Sequence, residues 1–311
     1  MGRGSGFGKT ILFNEHFVVY GIPGIVSAID STASAIVRQT GEGIRVKDER
    51  KGAKGYTQKK MVQQKESISR MLKAMSFDRE KIALEIWLGG NLPGFSGIGA
   101  SAASSVAIAR AIADDFDLDL SDEKINHIAY EAEKAYAGTP SGIDNTAATY
   151  GGLIWFKKSV IGKSDIIEKL SLKKPVEIVI GNTGIVADTK AMVEGVAARR
   201  EMDPIKYDRL FKQAEELVFQ ARDSLNDFSL RTVGELMDRN HHLLQEIEVS
   251  SEELDYLASL ARKQGAYGAK LTGGGGGGCI VALTPGKALQ HKVARRMQNE
   301  GFQVLKTRIG I

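Results

Sequence analysis

Three glycine-rich segments, one lysine and two acids are the residues of this 311-residue chain whose types and spacing could do chemistry. Gly97-Ile98-Gly99-Ala100-Ser101-Ala102 runs straight into a helix-forming stretch. Glycines let backbone N–H groups converge, and those groups, with the positive end of a helix dipole, attract phosphate. Ser101 in the first turn could set a hydroxyl on a magnesium ion carried by that phosphate. A tight turn with a capping serine would explain the same residues without a ligand. Farther on, Gly273 to Gly278 place six consecutive glycines between two short apolar runs. Glycine loses the most freedom on folding and two residues suffice for a hairpin, so close approach of backbone to a ligand is the better account. The first segment, Gly4-Ser5-Gly6-Phe7-Gly8-Lys9-Thr10, ends like a Walker A loop. That motif needs a glycine where Arg3 stands, a strand before and a helix after, so the reading fails. Residues 1–5 are expected to be a tail outside the fold. Lys9 is either a solvated lysine or a cation reaching from a strand edge into a cleft.

The acids stand in places that need explaining. On a helix expected over about 122–137, Ile125, Ile128, Ala129, Ala132 and Tyr136 form the apolar stripe, and Glu133 falls at its edge. A half-buried acid needs a partner, either a salt bridge or a bound cation. Asp144 closes the loop Gly138-Thr139-Pro140-Ser141-Gly142-Ile143-Asp144-Asn145 before a helical run. It is either a helix N-cap or a carboxylate facing a substrate hydroxyl, with a cation such as Lys9 beside it.

The elements that must position these groups alternate in type. Ile11 and Phe13, then Phe17 to Tyr20, then Ile25 and Val26 read as two strands around a Gly21-Ile22-Pro23-Gly24 corner. Short strands are expected at 35–38, 43–46, 82–88, 153–156 and 176–180, with a charged loop over 47–60 and helices around 61–75 and 100–113. Beyond Gly181 long helical periods take over, including a capping-box start at Ser250 and Glu253. The chain ends strand (267–271), strand (279–283), helix (287–299), strand (302–308), which with 176–180 makes a split β-α-β arrangement.

Length divided by about 150 residues per domain suggests two domains, placed at 1–180 and 181–311. A balance of 42 Lys and Arg against 38 Asp and Glu, a net charge of +4, is too mild to indicate nucleic acid. No apolar run approaches the roughly 18 residues of a membrane span. One cysteine, Cys279, allows neither an internal disulfide nor a cysteine metal cluster, which fits a cytoplasmic protein. Residues 97–102 fit the dinucleotide fingerprint formally, but that turn should follow its strand at once, and eight residues including Pro93 intervene. A dehydrogenase is therefore disfavoured.

Taken together, the motifs resemble those of the superfamily of galactokinase, homoserine kinase, mevalonate kinase and phosphomevalonate kinase (the GHMP kinases). The similarity spans essentially the whole chain in the right order. Gly8-Lys9-Thr10-Ile11-Leu12-Phe13-Asn14-Glu15-His16-Phe17-Val18-Val19-Tyr20-Gly21 looks like the opening motif of the mevalonate kinase branch, and Thr139 to Thr146 like the segment of its catalytic aspartate. The resemblance implies an α+β, two-domain GHMP-kinase-like fold: an N-terminal mixed sheet with helices, which binds nucleotide, metal and acceptor, and a C-terminal ferredoxin-like domain with extra helices that carries the third motif. It implies transfer of the γ-phosphoryl group of ATP to the 5-hydroxyl of mevalonate, with Mg²⁺ as cofactor. Asp144 and Lys9 would be the catalytic pair. Ser101 and Glu133 would ligate the metal. Gly97, Ile98, Gly99, Ala100, Ser101, Ala102 and Gly273, Gly274, Gly275, Gly276 would hold nucleotide, while Lys9, Glu15, His16 and Asp144 would meet the acceptor. The expected partner is a small alcohol, with no nucleic acid and no membrane, and a homodimer is compatible with the sequence. The chain departs from the family's pattern at Gly6-Phe7-Gly8, where Ala-Pro-Gly is usual, at Asn14, where glycine is usual, and at Ala100, where a serine is usual. The alternatives are another kinase of the superfamily acting on a sugar or a phosphomevalonate, and a non-catalytic relative that senses nucleotide or metabolite.

Overall fold

A computed structural model describes residues 1–50, 58–78, 81–159, 164–186 and 188–311, with side chains of the first long helix described from Met61 onward. Of the charged loop expected over 47–60, residues 51–57 lie outside the described residues, and the ends differ from the expectation: 47–48 belong to a strand and 58–60 open a helix. The chain divides into two compact units, Met1–Lys9 with Ser31–Gly94 and Gly99–Gly151, and Thr10–Asp30 with Phe95–Ile98 and Gly152–Ile311.

Strands β1 (Gly2–Phe13) and β2 (Gly24–Gln39) are long enough to serve both units. In the first unit, Ala33–Gln39 of β2 pair antiparallel with β4 (Leu84–Gly90), and β3 (Ile44–Asp48) lies parallel to β4. Four helices accompany them: α1 (Gln58–Ala74), α2 (Ala100–Asp115), α3 (Asp122–Ala137) and α4 (Ile143–Tyr150). Their shared core includes Val37, Leu72, Ile86, Val106, Ile112, Ile128 and Ala132.

The glycines that open the chain are part of this packing. A Cβ added at Gly2, Gly4 or Gly6 would lie 2.1, 2.3 and 2.3 Å from the carbonyl oxygens of Ala111, Ala107 and Ala103. Two strand residues advance about 6.6 Å and four helix residues about 6 Å, so every second residue of β1 meets every fourth residue of α2. Residues 1–5 are therefore not a tail: β1 begins at Gly2, and its period-two glycines let the strand lie directly on the alanine face of α2.

In the second unit, β5 (Leu153–Lys157) pairs with Gly24–Ser27 of β2 and with β6 (Ile166–Leu170). Strand β7 (Val176–Asn182) leads into helices α5 (Thr189–Met202), α6 (Pro204–Asn226), α7 (Leu230–Glu246) and α8 (Glu252–Lys263). Strands β8 (Gly268–Thr272) and β9 (Cys279–Leu283), helix α9 (Lys287–Asn299) and β10 (Gln303–Ile309) complete it. The order β10-β7-β9-β8 with antiparallel neighbours is the split β-α-β arrangement expected from the sequence.

Gly181 lies inside β7, opposite Val304 and Ile280, and the chain enters the second unit at Thr10. Several expectations are corrected. Phe17–Tyr20 is a 3₁₀ turn and not a strand, because Asn14 and His16, at φ 70° and 63°, break the extended run before it. The helix expected to start at a Ser250 capping box is capped by Ser251, which accepts from Leu254 N–H, and Ser250 instead donates to Asp255. Strand β6 and helix α5 carry no usable pattern: the strand is exposed on both faces, and Val196 is the one fully buried residue described in the helix.

Candidate active site

In the first unit, four of the sequence-selected side chains come together. Lys9, in the buried part of β1, sets Nζ 3.0 Å from Asp144 Oδ1. Its stem is held by Gly99, where an added Cβ would fall 2.6 Å from Lys9 Cγ. Asp144 is the second residue of α4, and Gly142 is the N-cap, so the capping role open to Asp144 in the sequence is not the one it takes. Its carboxylate is half-buried beside Lys9.

Ser101, in the first turn of α2, donates to Glu133 Oε2 at 3.0 Å. Glu133 is more deeply set than the edge of an apolar stripe suggests, at 5% exposure. Its Oε1 has no hydrogen-bond partner among the described residues. Burial, and then the charge of Asp144, push the Glu133 carboxyl up to about 8, against the smaller opposing effects of Ser101, Lys9 and Ser105. The helix that carries Ser101 begins at Gly99 in the left-handed conformation, with no side-chain cap among the described residues.

The second unit holds the rest. Glu15 is 1% exposed, and both its oxygens lie 2.5 Å from Nζ of Lys270, itself fully buried. Lys270 Nζ also donates to the carbonyl of Leu271 at 2.6 Å. His16 Nε2 is 3.0 Å from the carbonyl oxygen of Gly274. A carbonyl only accepts, so Nε2 carries the proton and Nδ1 is the lone-pair nitrogen. That Nδ1 is buried without a partner among the described residues. Desolvation lowers the ring pKa to about 4, so the imidazole is neutral at pH 7.

The glycine segments meet here backbone to backbone. An added Cβ at Gly97 would lie 2.5 Å from the Thr272 carbonyl oxygen, and one at Gly273 would lie 2.5 Å from Gly97 Cα. Gly276 N–H donates to Val249 and Gly278 N–H to Ile185, so the six-glycine run is a held loop. Gly97 and Ile98 belong to this unit, whereas Gly99, Ala100, Ser101 and Ala102 belong to the first.

Sequence reasoning missed Lys270, Thr272, Asn240 and His241. Thr272 Oγ1 accepts from Ile11 N–H at 2.9 Å. His241 Nδ1 accepts from Leu271 N–H, and its Nε2 faces Asp255 at 3.1 Å. A charged residue within the apolar run 268–271 was the one local signal.

Residues 65–152 match the family described as GHMP kinases N terminal domain, and residues 221–303 match GHMP kinases C terminal. A mevalonate kinase of Pyrococcus abyssi is 33% identical over 97% of this chain and 93% of that protein. The chain belongs to the mevalonate kinase family of GHMP kinases. Another family member, the mevalonate kinase of Archaeoglobus fulgidus, is 31% identical over 96% of this chain and 97% of its own length. The crystal structure of L. major mevalonate kinase in complex with R-mevalonate is 34% identical and covers 99% of this chain and 96% of that chain, with a TM-score of 0.92. The fold alone is shared with a Lactococcus lactis galactokinase, 20% identical, covering 99% of this chain and 94% of that one at a TM-score of 0.72. Kinases of this family use ATP, and no described helix is long and apolar enough to cross a membrane.

Proposed function

We propose that this chain transfers the γ-phosphoryl group of ATP to the 5-hydroxyl of mevalonate. The observation that carries the reading is the Lys9–Asp144 pair, 3.0 Å apart, with the Ser101–Glu133 pair coupled electrostatically to it. Similarity to a kinase whose crystal structure holds R-mevalonate supports the choice of acceptor.

The residues fit a magnesium ion. No cluster of three His, Cys, Asp or Glu exists among the described residues, as suits an ion that takes few protein ligands and completes its shell with phosphate and water. Glu133 Oε1 is a buried oxygen with no hydrogen-bond partner among the described residues, on a carboxyl whose pKa is raised to about 8 by burial and then by the charge of Asp144. Ser101 and Glu133 are the residues that would hold Mg²⁺, and when bound it would offset charge on the triphosphate.

Asp144 accepts the proton of the attacking hydroxyl as the new oxygen–phosphorus bond forms and the bond to the β-phosphate oxygen breaks. Lys9 fixes Asp144 and places a positive charge on the moving phosphoryl group. The first-turn N–H groups of α2, from Ala100 to Ala102, bind phosphate oxygens. His16 Nδ1 accepts a hydrogen bond from a hydroxyl of the acceptor. Glu15, already engaged by Lys270, keeps the His16 turn in place next to the acceptor. A panel of mevalonate, phosphomevalonate, galactose and homoserine in a coupled ADP-release assay tests the reading. Turnover with mevalonate at least about tenfold above the others, in kcat/KM, is the expected result. Preference for another acceptor would reassign the substrate, and no turnover with any would remove the catalytic reading.

A further inference from the structure

The turn that carries Glu15 and His16 is built on a residue outside the site. Asn14 occupies φ 70° and His16 φ 63°, positive angles that residues with side chains rarely adopt, and both are buried. Asn14 is held there by its whole polar complement. Its Nδ2 donates to the carbonyls of Pro23 and Ala214, at 2.8 and 3.0 Å. Two carbonyls only accept, so the amide orientation is fixed and Oδ1 must face the other way. There it accepts from Asn240 Nδ2 at 3.0 Å, while Asn240 Oδ1 accepts from Asn14 N–H at 3.1 Å. Asn240 comes from α7, 226 residues along the chain, and is fully buried. The Asn14 carbonyl then accepts from Val18 N–H and closes the turn.

We propose that Asn14 and Asn240 form a positioning pair for the acceptor. The reciprocal amide contact locks residue 14 in its left-handed conformation, and that conformation directs Glu15 onto Lys270 and the His16 ring onto the Gly274 carbonyl, leaving Nδ1 open. Glycine would adopt this conformation without help. Asn240 supplies the bonds that an asparagine needs there. The inference rests on the acceptor role assigned to His16 above.

Three variants test it: Asn14→Gly, Asn14→Ala and Asn240→Leu. Glycine keeps the backbone N–H for Asn240 and accepts φ 70° freely, so the KM for mevalonate should stay within about threefold. Alanine fills more space than glycine but resists the conformation, and should raise that KM about tenfold or more. Asn240→Leu strands two buried polar groups of Asn14 and should raise it at least as far. The KM for ATP should move less than about twofold in all three, since KM is a property of the folded molecules and global loosening would move both constants. The His16 imidazole resonance gives a readout independent of turnover: shifted in Asn14→Ala and Asn240→Leu, near wild type in Asn14→Gly. A wild-type protein inactive on mevalonate would sink the acceptor assignment and leave the resonance test to decide the pair. Alanine performing as well as glycine, both KM values rising together, or an unmoved His16 resonance in all variants would overturn the pair itself.

Discussion

The two units solve opposite electrostatic problems. In the first, Lys9 is matched to Asp144, while Glu133 is buried with an unpartnered oxygen and a carboxyl raised to about 8 by burial and by its acidic neighbour. In the second, Glu15 is matched to Lys270, Asn14 has a partner for every polar atom named above, and His16 is neutral. A group left short of positive charge is arranged for a ligand that brings a cation. The balanced group, with one open ring nitrogen, is arranged for an uncharged hydroxyl. Under the proposed function, the difference matches a metal ion to Ser101 and Glu133 of the first unit and an acceptor hydroxyl to His16 of the second, with Asp144 taking the proton of the attacking hydroxyl.

Breaking the first group at its proton acceptor should have the largest effect. Asp144→Asn keeps the shape and removes the base, so kcat should fall by about 10²–10⁴-fold while ATP affinity, measured by calorimetry, stays within a few fold. Breaking the balance of the second group comes next. Lys270→Met leaves a carboxylate buried without its countercharge, and should cost about 3–5 kcal/mol of unfolding free energy in a urea melt. Adding Glu15→Gln should recover a large part of that loss, since the remaining group is then neutral.

Glu133→Gln sharpens the comparison because two effects of one substitution should have opposite signs. The Mg²⁺ needed for half-maximal activity should rise by about 10–100-fold. Without metal, however, the variant should be the more stable protein at pH 8. The wild-type carboxyl titrates in the folded state near 8 and in the unfolded state near 4.5, so the unfolded chain binds fewer protons between those values and stability falls as pH rises. The glutamine variant lacks that slope, and melting temperatures across this range would reveal it.

The smallest effect concerns the second unit at acid pH. His16 and His241 both titrate near 4 in the folded protein, chiefly because burial disfavours their charged forms, against 6.5 when unfolded. Their contribution to stability is complete above pH 6.5 and is lost as pH falls toward 4. Replacing His241 with glutamine should flatten the melting-temperature profile over that window, and an unchanged profile would show that the buried rings do not set it.

How much of this was legible in the sequence follows the range of the interactions. Helix α3 could be read to the residue from its apolar stripe, and the same stripe singled out Glu133. Lys9, Ser101 and Asp144 could be singled out because each adjoins a glycine turn whose chemistry is local. Glu15 could be selected, but not its dependence on Lys270, because a pair 255 residues apart leaves no trace in spacing. Asn14 read as a departure from the family pattern, since its compensation lies on α7 and only three-dimensional packing joins them. The opening glycines misled for a related reason. Small residues at the start of a chain look like a tail until the alanine face of α2 supplies a surface that requires them.

Calorimetry of MgATP binding near pH 7, in buffers of different ionisation enthalpy, tests the central assignment most directly. If the metal-bound triphosphate engages Glu133, binding should release close to one proton per site in the wild type and far less in Glu133→Gln, while mevalonate binding releases none. Equal proton release by the two proteins, or release on adding mevalonate alone, would contradict it.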